Sequence, residues 1–127
     1  MFCWLTALDL SKKKIPEGYR YTLPTEEEWT NLLGGATLDS AVTSLTDRSR
    51  SGPSDVGSLA PNSLGLYDVR GNVMEFCQSD ETKAFRFLKG GSWKDFVDAN
   101  LRPEFRWYCK PEEKMNTFGF RCVLKDK

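Results

Sequence analysis

The stretch VGSLAPNSLGLYDVRGNVME, residues 56–75, is the part of this chain that best indicates its fold. Its second half, DVRGNVME (residues 68–75), combines Asp, Gly and Asn as tight turns do. Gly71 allows the backbone to curl, and Asn72 tolerates the unusual backbone angles of such a curl. Taken by itself, the segment is a turn between two strands in which Glu75 pairs with an arginine.

Three further segments extend the pattern over most of the chain: YRYTLPTEEEW, FLKGGSW and FGFRCV, at residues 19–29, 87–93 and 118–123. In the first of them, Thr25 and Glu28 have the spacing of a capping box and predict a helix that ends at Gly34-Gly35. Glu26 and Glu27 favour the positive end of that helix. Capping explains these glutamates better than a metal or acid–base cluster does.

The remaining patterns predict an α+β fold. Apolar residues recur at helical spacing from Phe2 to Leu8 and predict an amphipathic helix over residues 1–10. Residues 36–60 are rich in Ser, Thr, Gly and Asp and predict an irregular loop. Short apolar stretches broken by glycine predict antiparallel strands at 64–69, 72–77, 85–88 and 118–124. The expected architecture is two helices packed on short antiparallel strands with much irregular loop.

Composition excludes several classes of function. The 18 basic residues balance the 18 acidic ones, so no long-range field favours nucleic acid or an anionic membrane. The chain contains no histidine, which excludes Ser-His-Asp and Cys-His catalysis and histidine-ligated metals. The sequence shows no transmembrane run and no signal peptide. A length of 127 residues predicts one domain.

The four quoted segments resemble, in the same order, the formylglycine-generating-enzyme or sulfatase-modifying-factor family. The resemblance implies a C-type-lectin-like fold and a single domain over residues 1–127 that lacks the family's N-terminal strand and helix. In this fold the first strand normally pairs with the last. The resemblance therefore predicts that residues 118–124 form an exposed sheet edge. We expect the chain by itself either to form a homodimer through this edge or to be only marginally stable.

The resemblance also implies a calcium site, because the family's loop corresponding to residues 68–75 binds calcium. The implied ligands are the carboxylates of Asp68 and Glu75 and the carbonyls of Gly71 and Val73. Calcium takes six to eight oxygen ligands, and one tight turn can supply several of them. The plain turn, with Glu75 paired to an arginine, remains the alternative.

The residues that follow the GGS element argue against a second metal site, one for copper. Active family members carry two cysteines after the GGS element that bind copper and oxidise a sulfatase cysteine to formylglycine. Those positions are Asp95 and Asn100 here, and no cysteine lies between Cys77 and Cys109. A carboxylate and an amide do not replace the soft thiolates that hold Cu(I), so we expect neither copper nor oxidase activity.

The resemblance implies two further features. Cys3 and Cys122 match positions that family members often join by a disulfide. The stretch after GGSW corresponds to the ligand-facing surface, with candidate residues Trp93, Asp95, Asn100, Arg102, Arg106, Trp107 and Tyr108. Aromatic residues beside Arg and Asn suit recognition. Trp93 equally suits the core, and the arginines equally suit ion pairs with acids of the same loops. We expect Asn100, Arg106 and Trp107 to be exposed.

These observations favour a non-catalytic, calcium-stabilised binding module whose ligand is a protein, a peptide or a glycan. One alternative is a formylglycine-generating oxidase. The other is a degenerate structural domain of a larger protein, since bacterial members of the family are often fused to other domains, protein kinases among them.

Overall fold

The computed structural model describes residues 15–78 and 84–126. Its regular elements, in chain order, are β1 (Tyr19–Thr22), α1 (Glu26–Leu32), a 3-10 turn (Leu38–Ser40), β2 (Met74–Phe76), β3 (Arg86–Lys89), a second 3-10 turn (Asp98–Leu101), β4 (Trp107–Cys109), β5 (Phe118–Gly119) and β6 (Val123–Asp126). The fold is α+β, as predicted, and most of residues 36–60 are irregular. The predicted helix over residues 1–10 lies outside the described residues.

Helix α1 begins where the sequence predicts. The Thr25 hydroxyl accepts a hydrogen bond from the Glu28 backbone N–H at 3.1 Å, and the Glu28 carboxylate accepts one from the Thr25 N–H at 2.8 Å. The capping box is therefore complete. The chain leaves the helix through Gly34 and Gly35, both with positive φ.

The strands form two sheets. One has the order β4-β3-β2-β5, and the other pairs β1 with β6. The prediction of a purely antiparallel sheet is wrong in one place, because β2 and β5 run parallel. Residues 64–69 form no strand, and β4 was not predicted. The strand predicted at 118–124 is divided between β5 and β6, which belong to different sheets.

The exposed edge was predicted on the assumption that the strand at residues 118–124 has no partner. The structure shows a partner for its second part, β6. β6 pairs antiparallel with β1 along its whole length, from Tyr19 opposite Asp126 to Thr22 opposite Val123. The C-terminal strand therefore already has a partner within the chain. Homodimerisation itself stays a prediction.

The core occupies both faces of the four-stranded sheet. Trp29, Val69 and Cys77 form one buried cluster, against which Phe87 packs. A second cluster contains Met74, Leu88 and Cys109. Successive residues of a strand point to opposite faces, so Phe87 and Leu88 bring β3 into both clusters. No described helix is long and apolar enough to cross a membrane.

Candidate functional site

The turn at residues 68–75 has the strained backbone that its sequence predicts. Asp68, Gly71 and Asn72 all have positive φ, at 54°, 75° and 61°. A side chain on Gly71 would lie 2.6 Å from the backbone oxygen of Val42, so only glycine fits this crossing. The Asn72 side chain accepts a hydrogen bond from the Ser54 N–H at 2.9 Å and thereby ties the turn to the long loop.

The two carboxylates among the predicted calcium ligands are both engaged in contacts within the chain. Glu75 is buried, and its carboxylate forms an ion pair with Arg121 and accepts a hydrogen bond from Trp29. Asp68 accepts instead from the Gly57 N–H at 2.7 Å. Burial raises the pKa of Glu75, which the Arg121 guanidinium opposes. As placed, these side chains do not fit a calcium ion, and the arrangement matches the alternative of a turn closed by an arginine.

The GGSW element is a tight crossing next to the core. Gly90 and Gly91 have positive φ, and a side chain on Gly90 would lie 2.8 Å from the Val69 carbonyl oxygen. Trp93 is 7% exposed, and its backbone N–H donates to the carbonyl of Asn72 at 2.8 Å. Of the two roles that the sequence left open for Trp93, the core role is the one observed.

Asp95 and Asn100, which the resemblance aligns with the two cysteines of active family members, differ in their surroundings. The Asp95 carboxylate accepts hydrogen bonds from the backbone N–H of Ser92 at 2.7 Å and from its hydroxyl at 2.8 Å. Asn100 is half-buried in the second 3-10 turn, so it is less exposed than we expected. Asp95 thus holds the GGSW turn in place.

The described cysteines are poor candidates for thiol chemistry. Cys77 is fully buried, and desolvation raises its pKa to about 12. Burial also raises the pKa of Cys109, which is 3% exposed, and of the half-buried Cys122. A reactive or copper-binding cysteine needs an accessible thiolate, which these surroundings disfavour. Cys122 is a free thiol in the structure, and Cys3 lies outside the described residues, so their disulfide stays a prediction.

The exposed part of the predicted surface lies on and before strand β4. Arg106, Trp107 and Tyr108 are exposed, as is Arg102, which pairs with Asp98 of the same loop at 3.8 Å. The Tyr108 hydroxyl accepts a hydrogen bond from Arg106 at 3.4 Å, and the Arg106 guanidinium lies 5.5 Å from the centroid of the Phe87 ring. Arg106 and Tyr108 therefore form one continuous face with β3.

Sequence reasoning missed the groove beside this face. It has a volume of about 690 Å³ and separates α1 from the segment that precedes β4. Its lining residues are Glu26, Glu27, Thr30, Lys89, Pro103, Glu104, Phe105 and Arg106. One feature of the sequence could have indicated this groove. Lys89 follows two apolar residues in FLKGG, which suggests burial, and a buried lysine needs an acidic partner.

That acidic partner is Glu26, which we had assigned to helix capping. Its carboxylate accepts a hydrogen bond from the ammonium of Lys89 at 3.1 Å and contacts the Arg106 guanidinium. Lys89 is 2% exposed, and its ammonium lies 5.6 Å from the centroid of the Trp29 ring. Glu26 thus joins the helix, β3 and the loop before β4 at one point.

Comparisons with known proteins show the family to which the chain is similar. Residues 3–126 match the family described as "Sulfatase-modifying factor enzyme 1-like domain". The serine/threonine-protein kinase pkn1 of Chlamydia pneumoniae is 33% identical over 127 residues, covering 80% of this chain and 20% of the kinase. The chain thus spans about a fifth of that relative's length.

Two further similarities bear on activity and fold. The mouse protein "Inactive C-alpha-formylglycine-generating enzyme 2" is 35% identical over 80 residues, which cover 57% of this chain and 26% of that protein. The crystal structure of CarF superimposes with a TM-score of 0.72 at 22% identity and covers 96% of this chain and 62% of CarF. The CarF similarity shows the fold alone.

Proposed function

This chain belongs to the sulfatase-modifying-factor family, and we propose that it is a non-catalytic binding domain of that family, working within a longer protein. The observation that carries the proposal is the structural use of Asp95. Its carboxylate is committed to Ser92, at a position where oxidation chemistry requires a thiolate. The similarity to an inactive member of the family supports the same conclusion.

The binding surface in this proposal consists of the groove and strand β4. β4 is one of the two outer strands of the four-stranded sheet in the described part of the chain, and its Trp107 and Tyr108 are 41% and 57% exposed. Adjacent strand residues point to opposite faces, so exposed aromatic rings flank this edge on both sides. A peptide that added a strand to β4 would bury both rings and satisfy the edge's free backbone groups.

The groove provides charge as well as area. Its two cationic residues, Lys89 and Arg106, already pair with Glu26. Its other two carboxylates, Glu27 and Glu104, are exposed and form no ion pair with another described residue. With Pro103 and Phe105 in the lining, the groove suits a peptide side chain that combines an aliphatic stem with a positive charge.

The non-catalytic part is tested with Cu(I), a C-x-P-x-R peptide and an excess of a thiol reductant under oxygen, since the reductant supplies the two further electrons that reduce O2 to water. We expect the purified chain to form no aldehyde from the peptide cysteine, as followed by mass spectrometry. The matched variant Asp95→Cys/Asn100→Cys reports whether two thiols at these positions bind Cu(I). Aldehyde formed by the unmodified chain would refute the proposal.

The binding part is tested by selecting peptides from a random displayed library on the purified chain. We expect the selected peptides to bind at least tenfold more weakly to Trp107→Ala and to Tyr108→Ala. Phe96→Ala is the control, because Phe96 is also 57% exposed but stacks on Arg48 of a different loop. Equal weakening by all three variants would contradict the assignment of the surface.

A further inference from the structure

We propose that the guanidinium of Arg121, rather than a metal ion, closes the turn at residues 68–75, so that this domain folds and keeps its shape independently of calcium. The proposal goes beyond the binding function, and it concerns the place where the family resemblance implies a calcium ion. It rests on the contacts of Glu75, Arg121 and Tyr67.

Both oxygens of the Glu75 carboxylate already accept hydrogen bonds from N–H groups of the chain. Its Oε1 accepts from Arg121 Nη2 at 2.7 Å and from Arg121 Nε at 3.0 Å. Its Oε2 accepts from Arg121 Nε at 2.8 Å and from Trp29 Nε1 at 2.9 Å. A carboxylate offers about four lone-pair positions. Three N–H groups fill most of them, and the single hydrogen of Arg121 Nε is shared between the two oxygens. All the donors are N–H groups, which satisfy the ionised form.

Arg121 also reaches the other end of the turn. Its Nη2 donates to the carbonyl oxygen of Tyr67 at 2.9 Å. Tyr67 immediately precedes Asp68, and Glu75 ends the segment, so one planar group joins the two ends of the turn. A bound cation in such a loop would gather oxygens in the same way.

The turn needs such a closure because its backbone is costly. Two non-glycine residues, Asp68 and Asn72, adopt positive φ within five positions. Left-handed conformations of this kind persist only where the surrounding contacts fix them. The Arg121 contacts, together with the Asp68 bond to Gly57 and the Asn72 bond to Ser54, supply the fixing groups from within the chain.

Charge gives a further reason against a divalent ion at this point. Glu75 is 4% exposed, and the charges of Glu75 and Arg121 cancel as a pair. A calcium ion on the same carboxylate would have to displace at least one N–H donor and would face the guanidinium charge at short range. Removing one partner of a buried pair is strongly destabilising, so the displaced state is unfavourable.

The test measures thermal unfolding and calcium binding of the purified chain after treatment with a chelator. We expect added calcium to shift the unfolding midpoint by less than about 1 °C, whereas an ion held at 100 times its Kd would raise it by about 10 °C. Arg121→Ala should lower the midpoint by roughly 10 °C or more. Arg102→Ala, which removes an exposed arginine, should lower it by less than about 2 °C.

Two results would overturn the proposal. One is a calcium-specific rise of the midpoint in the unmodified chain that disappears in Glu75→Gln. The other is an Arg121→Ala variant as stable as Arg102→Ala. If Arg121→Ala does not fold, calorimetric titration of the unmodified chain decides alone: no calcium binding at millimolar concentration supports the proposal, and stoichiometric binding that Glu75→Gln abolishes overturns it.

Discussion

Glu26→Gln is the substitution that most directly tests the groove. In the structure the Glu26 carboxylate neutralises Lys89, whose side chain is 2% exposed, and also contacts Arg106 at the surface. The amide keeps the shape of the side chain and one acceptor oxygen but removes the negative charge. Lys89 then keeps a buried positive charge next to a neutral amide and the Trp29 ring, whose centroid is 5.6 Å away.

The size of the effect follows from the burial of the two partners. Removing one partner of a fully buried ion pair costs about 3–5 kcal/mol of unfolding free energy. Glu26 is 27% exposed, so water screens part of the interaction and the expected cost falls to about 2 kcal/mol. Lys89→Met removes the buried charge altogether and leaves Glu26 paired with Arg106. We therefore expect it to change stability by less than about 1 kcal/mol.

Urea unfolding of the two single variants and the double variant measures the coupling. If Glu26 acts through Lys89, Glu26→Gln costs little in the Lys89→Met background, and the coupling free energy is about 1.5 kcal/mol. The reasoning would be refuted if Glu26→Gln cost the same in both backgrounds. A cost below about 0.5 kcal/mol in the unmodified chain would refute it as well.

The same pair predicts a pH dependence. The Arg106 guanidinium holds the pKa of Glu26 below its usual range, with Lys89 adding to this and burial opposing it. A folded-state pKa below the unfolded value means that the stabilisation is complete above the unfolded pKa of about 4.3 and is lost as the pH falls through the folded-state pKa. The stability gap between the unmodified chain and Glu26→Gln should therefore be constant from pH 8 to 6 and shrink below about pH 4.

Substitutions at three further positions test local features by urea unfolding. Thr25→Ala removes the helix cap and should cost about 1 kcal/mol, and no loss would mean that the capping box is not formed in solution. Gly71→Ala forces a side chain to within 2.6 Å of the Val42 oxygen at a φ of 75° and should cost about 3 kcal/mol, whereas a neutral result would contradict the close crossing. Asp95→Ala leaves the N–H of Ser92 without its acceptor and should cost about 1–2 kcal/mol, and Asp95→Asn should recover part of this loss.

Local rules account for the parts of the fold that the sequence predicts well. The capping box at Thr25 depends only on residues three positions apart, and the glycine crossings at 71 and 90–91 depend on backbone angles that few other residues adopt. Strand pairing, in contrast, depends on residues that are distant in sequence. The sequence of residues 118–124 predicts one strand, but the strand breaks after Gly119 and its two parts belong to different sheets. The strands with which they pair, β2 and β1, are far away in sequence.

The site shows the same limit at the level of side chains. Trp93 and Trp107 are the same residue type in the same predicted surface, yet one is 7% exposed and the other 41%. Trp93 follows a glycine crossing next to the core, while Trp107 lies on an outer strand that was not predicted. The pairing of Lys89 with Glu26 spans 63 positions, so a sequence can indicate that the lysine needs a partner without showing which acid it is.

Asp95 and Arg121 both have structural contacts at places where the family resemblance implies a metal site. Replacing Asp95 by the cysteine of active family members would also remove the acceptor of two hydrogen bonds that hold the GGSW turn. Placing calcium on Glu75 would likewise require breaking its contacts with Arg121. In both places the residue forms hydrogen bonds that a metal site would disrupt, so we expect the change to lower the stability of the fold. We therefore expect Asp95→Cys/Asn100→Cys to be less stable than the unmodified chain even where it gains copper binding.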